Sequence, residues 1–266
     1  MATQPPTDHW AEGAAYEPYV GRWSRLVAQQ FLSGLNVSPD SQWLDVGCGT
    51  GVLTQTVLKL AQPRIMTGID RSEGFIGYAR QQVVDERADF KVGDAQSLPL
   101  EDATYDAAIS GLVLNFVPQP IQMVREMARV TRPGGSVAIY IWDYASKMQF
   151  MRHFWNAAAA LDPAAYDLDE GRRFPLNQPE PLGNLFREAG LQKVEVKPID
   201  INTDFRDFDD FWSPFLGGQG SAPTYLMSLP EEKRDALRER LRMSLPIAVD
   251  GSIPLVARVW AVYSIR

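Results

Sequence analysis

Cysteine and histidine are scarce in this chain of 266 residues: there is one cysteine, Cys48, and two histidines, His9 and His153. A single cysteine excludes an internal disulfide and a cysteine-built zinc cluster, and a zinc site would need carboxylates for most of its ligands. No metal is expected. An excess of basic residues is also lacking, since 26 Lys and Arg against 33 Asp and Glu leave a net charge of −7. That balance argues against nucleic acid as a partner, because phosphate binding needs a basic face. Long apolar runs are missing too; VAIYIW (137–142) has the length of a strand, not of a membrane span. The opening MATQPPTDHW has neither the basic nor the apolar part of a secretory signal, so a cytoplasmic protein is expected. Residues 1–13, polar and carrying Pro5-Pro6, read as a disordered tail.

What is present is a rhythm. An amphipathic helix is predicted from Tyr16 to Leu35, with Tyr19, Trp23, Leu26, Val27 and Phe31 near one face. QWLDVG (42–47) reads as a strand followed by a helix through Leu60, and RIMTGID (64–70) as a second strand before a helix capped by Ser72. ADFKVGD (88–94) and YDAAIS (105–110) are the third and fourth strands. IQMVREMARVT (121–131) is helical, RPGG (132–135) breaks it, and SVAIYIW (136–142) is the fifth strand. Strands alternating with helices imply a Rossmann-like α/β fold, a mostly parallel sheet with helices on both faces. Beyond Trp142 the alternation loosens: helices at 147–161, 180–190 and 231–243, and strands at 193–201 and 253–265. The chain reads as one domain over 14–266 with helical insertions at about 145–178 and 204–250. Such insertions suit a lid over a ligand, or are simply extra helical packing.

The turn after the first strand is the strongest motif. Gly47, Gly49 and Gly51 form G-x-G-x-G in LDVGCGTG, one residue shorter than the dinucleotide fingerprint G-x-G-x-x-G and lacking the Lys-Ser/Thr of a P-loop. Glycines there allow a tight turn and close approach of a ligand to backbone. Asp70 ends the second strand, where a carboxylate can accept hydrogen bonds from both hydroxyls of a ribose; Ser72 is the better helix cap and frees it. GDAQSLPL (93–100) follows the third strand and can present a carboxylate or backbone to an adenine edge. All three features fall at carboxyl ends of adjacent strands, where open α/β sheets bind ligands.

Together LDVGCGTG, Asp70, GDAQSLPL and RPGG resemble the class I S-adenosylmethionine-dependent methyltransferases, in the small-molecule branch that includes the quinone-biosynthesis enzymes. The resemblance implies seven strands, the last antiparallel between strands five and six, and S-adenosylmethionine as cofactor. It implies that Gly47, Cys48, Gly49 and Gly51 flank the methionine part of the cofactor, with Asp45 as the acid of strand one. Asp70 would hold the ribose, Asp94, Ala95 and Gln96 the adenine with Arg71 over its face, and Ser110, Gly111 and Leu112 the sulfonium side. Tyr16 and Arg22 in the first helix join the expected cofactor contacts. Arg22 or Arg25 is placed to meet the cofactor carboxylate, although arginines there can equally be solvated surface. A nicotinamide-dependent oxidoreductase on a similar sheet and a non-catalytic S-adenosylmethionine-binding protein are the rivals.

Methyl transfer from a sulfonium is a displacement at carbon, so the protein mainly supplies position and desolvation, with a base only if the acceptor loses a proton. His153, Asn115 and Tyr144 are the candidate catalytic residues; Asn115 cannot act as a base, and a packed or helix-surface histidine is the leading account of His153. Trp142, Phe174 and Trp212 are the candidate acceptor-pocket residues. Aromatics crowd residues 205–215, and Phe208, Phe211, Trp212 and Phe215 also fit the core face of a helix, which is the leading account of their spacing. The expected partner is a small methyl acceptor, apolar or aromatic, methylated on oxygen or carbon.

Overall fold

The structure, a computed structural model, describes residues 21–217 and 220–266. The tail 1–13, with His9, the helix start at Tyr16, and Gly218–Gln219 of the GGQG segment lie outside the described residues. Helix α1 (Arg22–Ser33) turns Val27, Ala28, Phe31 and Leu32 inward at helical spacing. It stops at Gly34, where a side chain would collide with the Tyr263 ring. Then come β1 (Gln42–Val46), α2 (Val52–Leu60), β2 (Ile65–Asp70), α3 (Glu73–Gln82), β3 (Ala88–Val92), β4 (Tyr105–Gly111), α4 (Pro120–Val130) and β5 (Thr131–Trp142). Ser72 caps α3 as expected, its hydroxyl accepting from the Phe75 N–H at 3.3 Å, a contact typically worth about 1 kcal/mol.

Seven strands form one sheet in the order β3-β2-β1-β4-β5-β7-β6, with β6 at Gln192–Asn202 and β7 at Val256–Ile265. Pairs among β1–β5 are parallel, whereas β7 runs antiparallel to both β5 and β6. This is the expected Rossmann-like arrangement. One face packs against α1, α2 and α3 through Val27, Phe31, Leu53, Val57, Ile76 and Ala79. The other packs against α4 and α7 (Pro179–Glu188) through Met123, Met127, Leu182 and Phe186. Residues 137–142 of β5 are therefore buried without alternation, as in any strand covered on both sides. RPGG differs from the expected plain helix breaker. It lies within the extent of β5 as an outward bulge, since Tyr105 pairs with Thr131 and Ala107 with Ser136.

The sheet order reverses between β1 and β4, and a ligand crevice opens at such a switch point on the carboxyl side. Around it the chain adds α5 (Gln149–Leu161), a 3-10 turn at Pro163–Leu168, α6 (Glu170–Arg173), α8 (Phe208–Trp212), α9 (Ser221–Ser228) and α10 (Glu231–Ser244). Phe150 and Phe154 of α5 stack on Phe215 at 4.5 Å each, and Phe150 also meets Phe205 and Phe211 at 5.2 Å. The aromatic segment 205–215 is thus core, the account its spacing favoured.

Candidate functional site

The glycine turn is latched to β2. The amides of Gly47 and Cys48 both donate to the Ile69 carbonyl (2.7 and 3.0 Å), Gly49 N–H donates to Asp70 Oδ2 (3.0 Å), and Gly51 N–H donates to the Cys48 carbonyl (2.9 Å). Gly47 and Gly49 have φ of +73° and +51°, a region costing an L-residue roughly 1–2 kcal/mol. At Gly47 a side chain would also strike Val113, so this glycine packs the turn against the segment after β4. At Gly49 no described atom lies within 4 Å of an added Cβ. With the amides of residues 47, 48, 49 and 51 already satisfied, the turn does not offer the nest of free N–H groups that a pyrophosphate needs. That weakens the nicotinamide alternative.

Two carboxylates stand behind the turn. Asp70 is not left free by the Ser72 cap, because its Oδ1 accepts from the Ser72 N–H (2.9 Å) while its Oδ2 accepts from Gly49. Each oxygen keeps a second acceptor site, so the backbone fixes the carboxylate without exhausting it. Burial raises its pKa, and the Ser72 and Gly49 amides oppose that rise. Asp45 on β1 is fully buried; Oδ2 accepts from Thr54 Oγ1 (2.8 Å) and Oδ1 has no partner among the described residues. Burial pushes its pKa up to about 7, the Thr54 bond opposes this, and Asp70 adds repulsion. Cys48 is buried and its thiol is pushed well above the ordinary range by burial, which suits a role through backbone rather than as a nucleophile.

Asp94, Ala95 and Gln96 form the turn after β3. Asp94 Oδ1 accepts from the Gln96 N–H (2.8 Å), and the Gln96 side chain donates to Asp94 and accepts from the Gln119 N–H (2.9 Å). The Gln96 side chain thus links the turn to the start of α4 at Gln119. Glu126 and Arg129 of α4 hold the following loop: Glu126 accepts from Leu98 N–H, and Arg129 donates to the Leu98 and Leu100 carbonyls. Arg71 is exposed beside Asp70.

At the end of β4 the Ser110 hydroxyl donates to the Val46 carbonyl (2.6 Å) and is fully buried. It ties β4 to β1, and its hydroxyl proton is spent on that bond. Gly111 lies against the Tyr140 hydroxyl, and Leu112 takes φ +66° with its N–H on the Tyr140 carbonyl (2.8 Å). A non-glycine residue held there stores strain, which concentrates at functional sites. Asn115 sits in the 3-10 turn Leu114–Phe116, its Nδ2 donating to Asn177 Oδ1 (3.3 Å). Phe116 meets Phe174 edge-on at 5.3 Å, and Phe174 meets Tyr144 at 5.7 Å. So Asn115, Tyr144 and Phe174, predicted separately, are joined through Phe116 and Asn177.

The remaining candidates lie elsewhere. His153 falls on the half-buried side of α5, off the packed face of Phe150, Phe154 and Trp155. Burial lowers its pKa, and no described group hydrogen-bonds the imidazole to orient it as a base. Arg22 pairs with Asp210 (3.0 Å) and lies over the rings of Trp23 and Phe205 at 4.5 and 4.6 Å. That pair lies beyond the end of β6, four strands from β1, while Nε and Nη2 of Arg22 are buried without a hydrogen-bond partner among the described residues. Arg25 is the arginine beside the turn, lining a recess with Thr50, Gly51 and Gln55. Trp212 stacks on Phe208 (6.3 Å, 13°) within the aromatic core and not against Phe174. Trp142 is buried in the core on the α1 side, its indole N–H without an acceptor.

Comparison with known proteins bears on this geometry. Residues 44–139 match a family model described as a methyltransferase domain. A demethylmenaquinone methyltransferase of Halalkalibacterium halodurans is 32% identical over 183 residues, 63% of this chain and 74% of that protein. The chain belongs to the class I S-adenosylmethionine-dependent methyltransferases. The Staphylococcus aureus demethylmenaquinone methyltransferase is 29% identical over 185 residues, 65% of this chain and 77% of the relative. In fold, the chain is similar to Haemonchus contortus phosphoethanolamine N-methyltransferase 2 in complex with phosphomonomethylethanolamine and S-adenosylhomocysteine. The TM-score is 0.59 at 17% identity, covering 95% of this chain and 56% of that one. The protein is an S-adenosylmethionine-dependent enzyme, and none of its described helices is long and apolar enough to cross a membrane.

Three residues of this methyltransferase's site carried no signal in sequence. Thr54 holds Asp45 from one turn inside α2, Val113 closes on Gly47, and Asn177 orients Asn115 from 62 positions away. Each depends on a tertiary approach between elements that no spacing along the chain reports.

Proposed function

We propose that this methyltransferase moves a methyl group to an oxygen or carbon atom of a small, apolar or aromatic molecule at the carboxyl edge of β4 and β5. The observation that carries this reading is the aromatic wall of Phe116, Phe174 and Tyr144 next to Leu112 and Asn115. Small-ligand sites take this form, an apolar surface with few polar groups. The relatives named for demethylmenaquinone, a quinone, support the same acceptor class.

The residues fit the cofactor. The unpartnered, buried Asp45 Oδ1 wants a cation, and S-adenosylmethionine brings both an ammonium and a sulfonium. When bound, it supplies a methyl group on positively charged sulfur, already activated for in-line displacement. Asp70, held by Gly49 and Ser72, would accept the ribose hydroxyls on its remaining lone pairs. The open side of Gly49 would admit the methionine part, and the Asp94–Gln96 turn would border the adenine. Asn115 cannot take a proton and His153 faces away from the packed side of α5, so position and exclusion of water do most of the work. The cap of α5–α6 and α8–α10 is read as the enclosure of the acceptor within one domain.

The test is a product assay with radiolabelled S-adenosylmethionine against phenols, quinols, amines and carboxylates. Label appearing in phenols or quinols is the expected result; label confined to amines or carboxylates would overturn the acceptor class.

A further inference from the structure

An amide relay next to the aromatic wall ends in an unanswered acceptor. Asn177 is 2% exposed, and its Nδ2 donates to the Glu170 carbonyl (2.9 Å). Glu170 is itself buried, and its carboxylate accepts from the indole N–H of Trp155. Because the Asn177 nitrogen is spent on a carbonyl, its Oδ1 must face Asn115. Asn115 therefore presents Nδ2 to it, and a flipped Asn115 would set oxygen against oxygen. The polarity of both amides is fixed from the Glu170 backbone outward. What remains is Asn115 Oδ1, which is shielded from solvent and has no hydrogen-bond donor among the described residues.

A buried carbonyl oxygen left unpaired forfeits its hydration without compensation, and such groups are rare in folded proteins without a reason. Asn115 lies in the turn directly after β4, between the strained Leu112 and Phe116 of the aromatic wall. The geometry points to a specificity role: Asn115 Oδ1 accepts a hydrogen bond from an O–H or N–H group of the methyl acceptor, with Asn177 as the residue that positions it. The acceptor is then an aromatic molecule bearing a protic donor, such as a phenol or quinol, and a ring lacking that donor is discriminated against. This rests on the aromatic-acceptor reading above and sharpens it. An amide oxygen takes no proton, so the contact orients the acceptor ring toward the methyl donor without acting as a base.

The probes are 1-naphthol and 1-methylnaphthalene, equal in ring and nearly equal in size, titrated into protein saturated with S-adenosylhomocysteine. Naphthol binding about 10- to 100-fold tighter is expected for the native chain, the span that one buried hydrogen bond supplies. In Asn115→Leu the ratio should fall to near one. In Asn177→Leu, which leaves the Asn115 oxygen in place but unoriented, it should fall part of the way; a purely structural Asn177 would weaken both probes equally. Equal binding of the two probes to the native protein overturns the inference alone, and this is read without any substitution should the variants fail to fold. Binding of neither probe by protein that holds S-adenosylhomocysteine overturns the aromatic-acceptor reading, and the inference with it.

Discussion

Asp45 makes the ligand-free protein sensitive to pH in an unusual direction. Its carboxylate is fully buried, one oxygen on Thr54 and the other without a partner, and burial raises its pKa from 3.8 to about 7. Below 3.8 both folded and unfolded chains carry the proton, and Asp45 imposes no penalty. Between 3.8 and about 7 the unfolded chain ionises while the folded one does not, so stability falls as pH rises. Above 7 the loss is complete. A rise of about three units at 1.36 kcal/mol each amounts to roughly 4 kcal/mol, a large part of the net stability of a typical domain. Asp45→Asn removes the titration and keeps an oxygen for Thr54 Oγ1. Urea unfolding of both proteins without ligand, at pH 4.5, 6.0 and 7.5, isolates this group as a difference. The advantage of the Asn variant should grow by roughly 3 kcal/mol across that range. At pH 7.5, where Asp45 is ionised, the same substitution should weaken S-adenosylhomocysteine at least ten-fold, roughly 1.4 kcal/mol, because the buried charge that favours an ammonium is gone. A stability difference that stays flat with pH would refute the reasoning.

Other substitutions separate the parts of the cradle. Gly47→Ala meets both positive φ and the Val113 side chain, so urea unfolding should show a loss of about 2–4 kcal/mol. Gly49→Ala has open space and should lose only about 1 kcal/mol of stability, while calorimetry shows S-adenosylhomocysteine binding reduced more than ten-fold; equal losses of stability at the two positions would contradict the packing difference. Asp70→Ala should weaken S-adenosylhomocysteine by roughly 10- to 100-fold, the worth of one or two hydrogen bonds to a charged group, and an unchanged dissociation constant would remove Asp70 from the ribose. Arg22→Ala should lower the melting temperature through loss of Asp210 and the stacked rings yet leave that dissociation constant at the native value; a weaker cofactor complex would return Arg22 to the site.

The sheet was legible from sequence because its signals are local. Each strand is a short apolar run, each turn carries Gly, Asp or Pro, and Ser72 sits where a cap belongs. The glycine turn and Asp70 were legible for the same reason, as turn chemistry at strand ends. The side-chain commitments were not. Gln96 and Ser110 stand at strand ends in sequence, but the Gln96 side-chain oxygen accepts from Gln119 and the Ser110 hydroxyl donates to Val46, partners on other elements. The pairing of Arg22 with Asp210 had no sequence signal either, because the two lie 188 positions apart. Trp212 and Phe174 look alike in sequence and both are buried; only the packing shows that Trp212 stacks on Phe208 while Phe174 meets Phe116 and Tyr144.

A crystal structure with bound S-adenosylhomocysteine tests the central claim most directly. The expected complex has both ribose hydroxyls within 3.2 Å, the outer limit of ordinary hydrogen bonds, of the Asp70 carboxylate. Its ammonium lies on the Asp45 side of the glycine turn, and its sulfur faces Leu112 and the wall of Phe116, Phe174 and Tyr144. Ligand density away from the carboxyl ends of β1 and β2, with Asp70 still bonded only to Gly49 and Ser72, would contradict it.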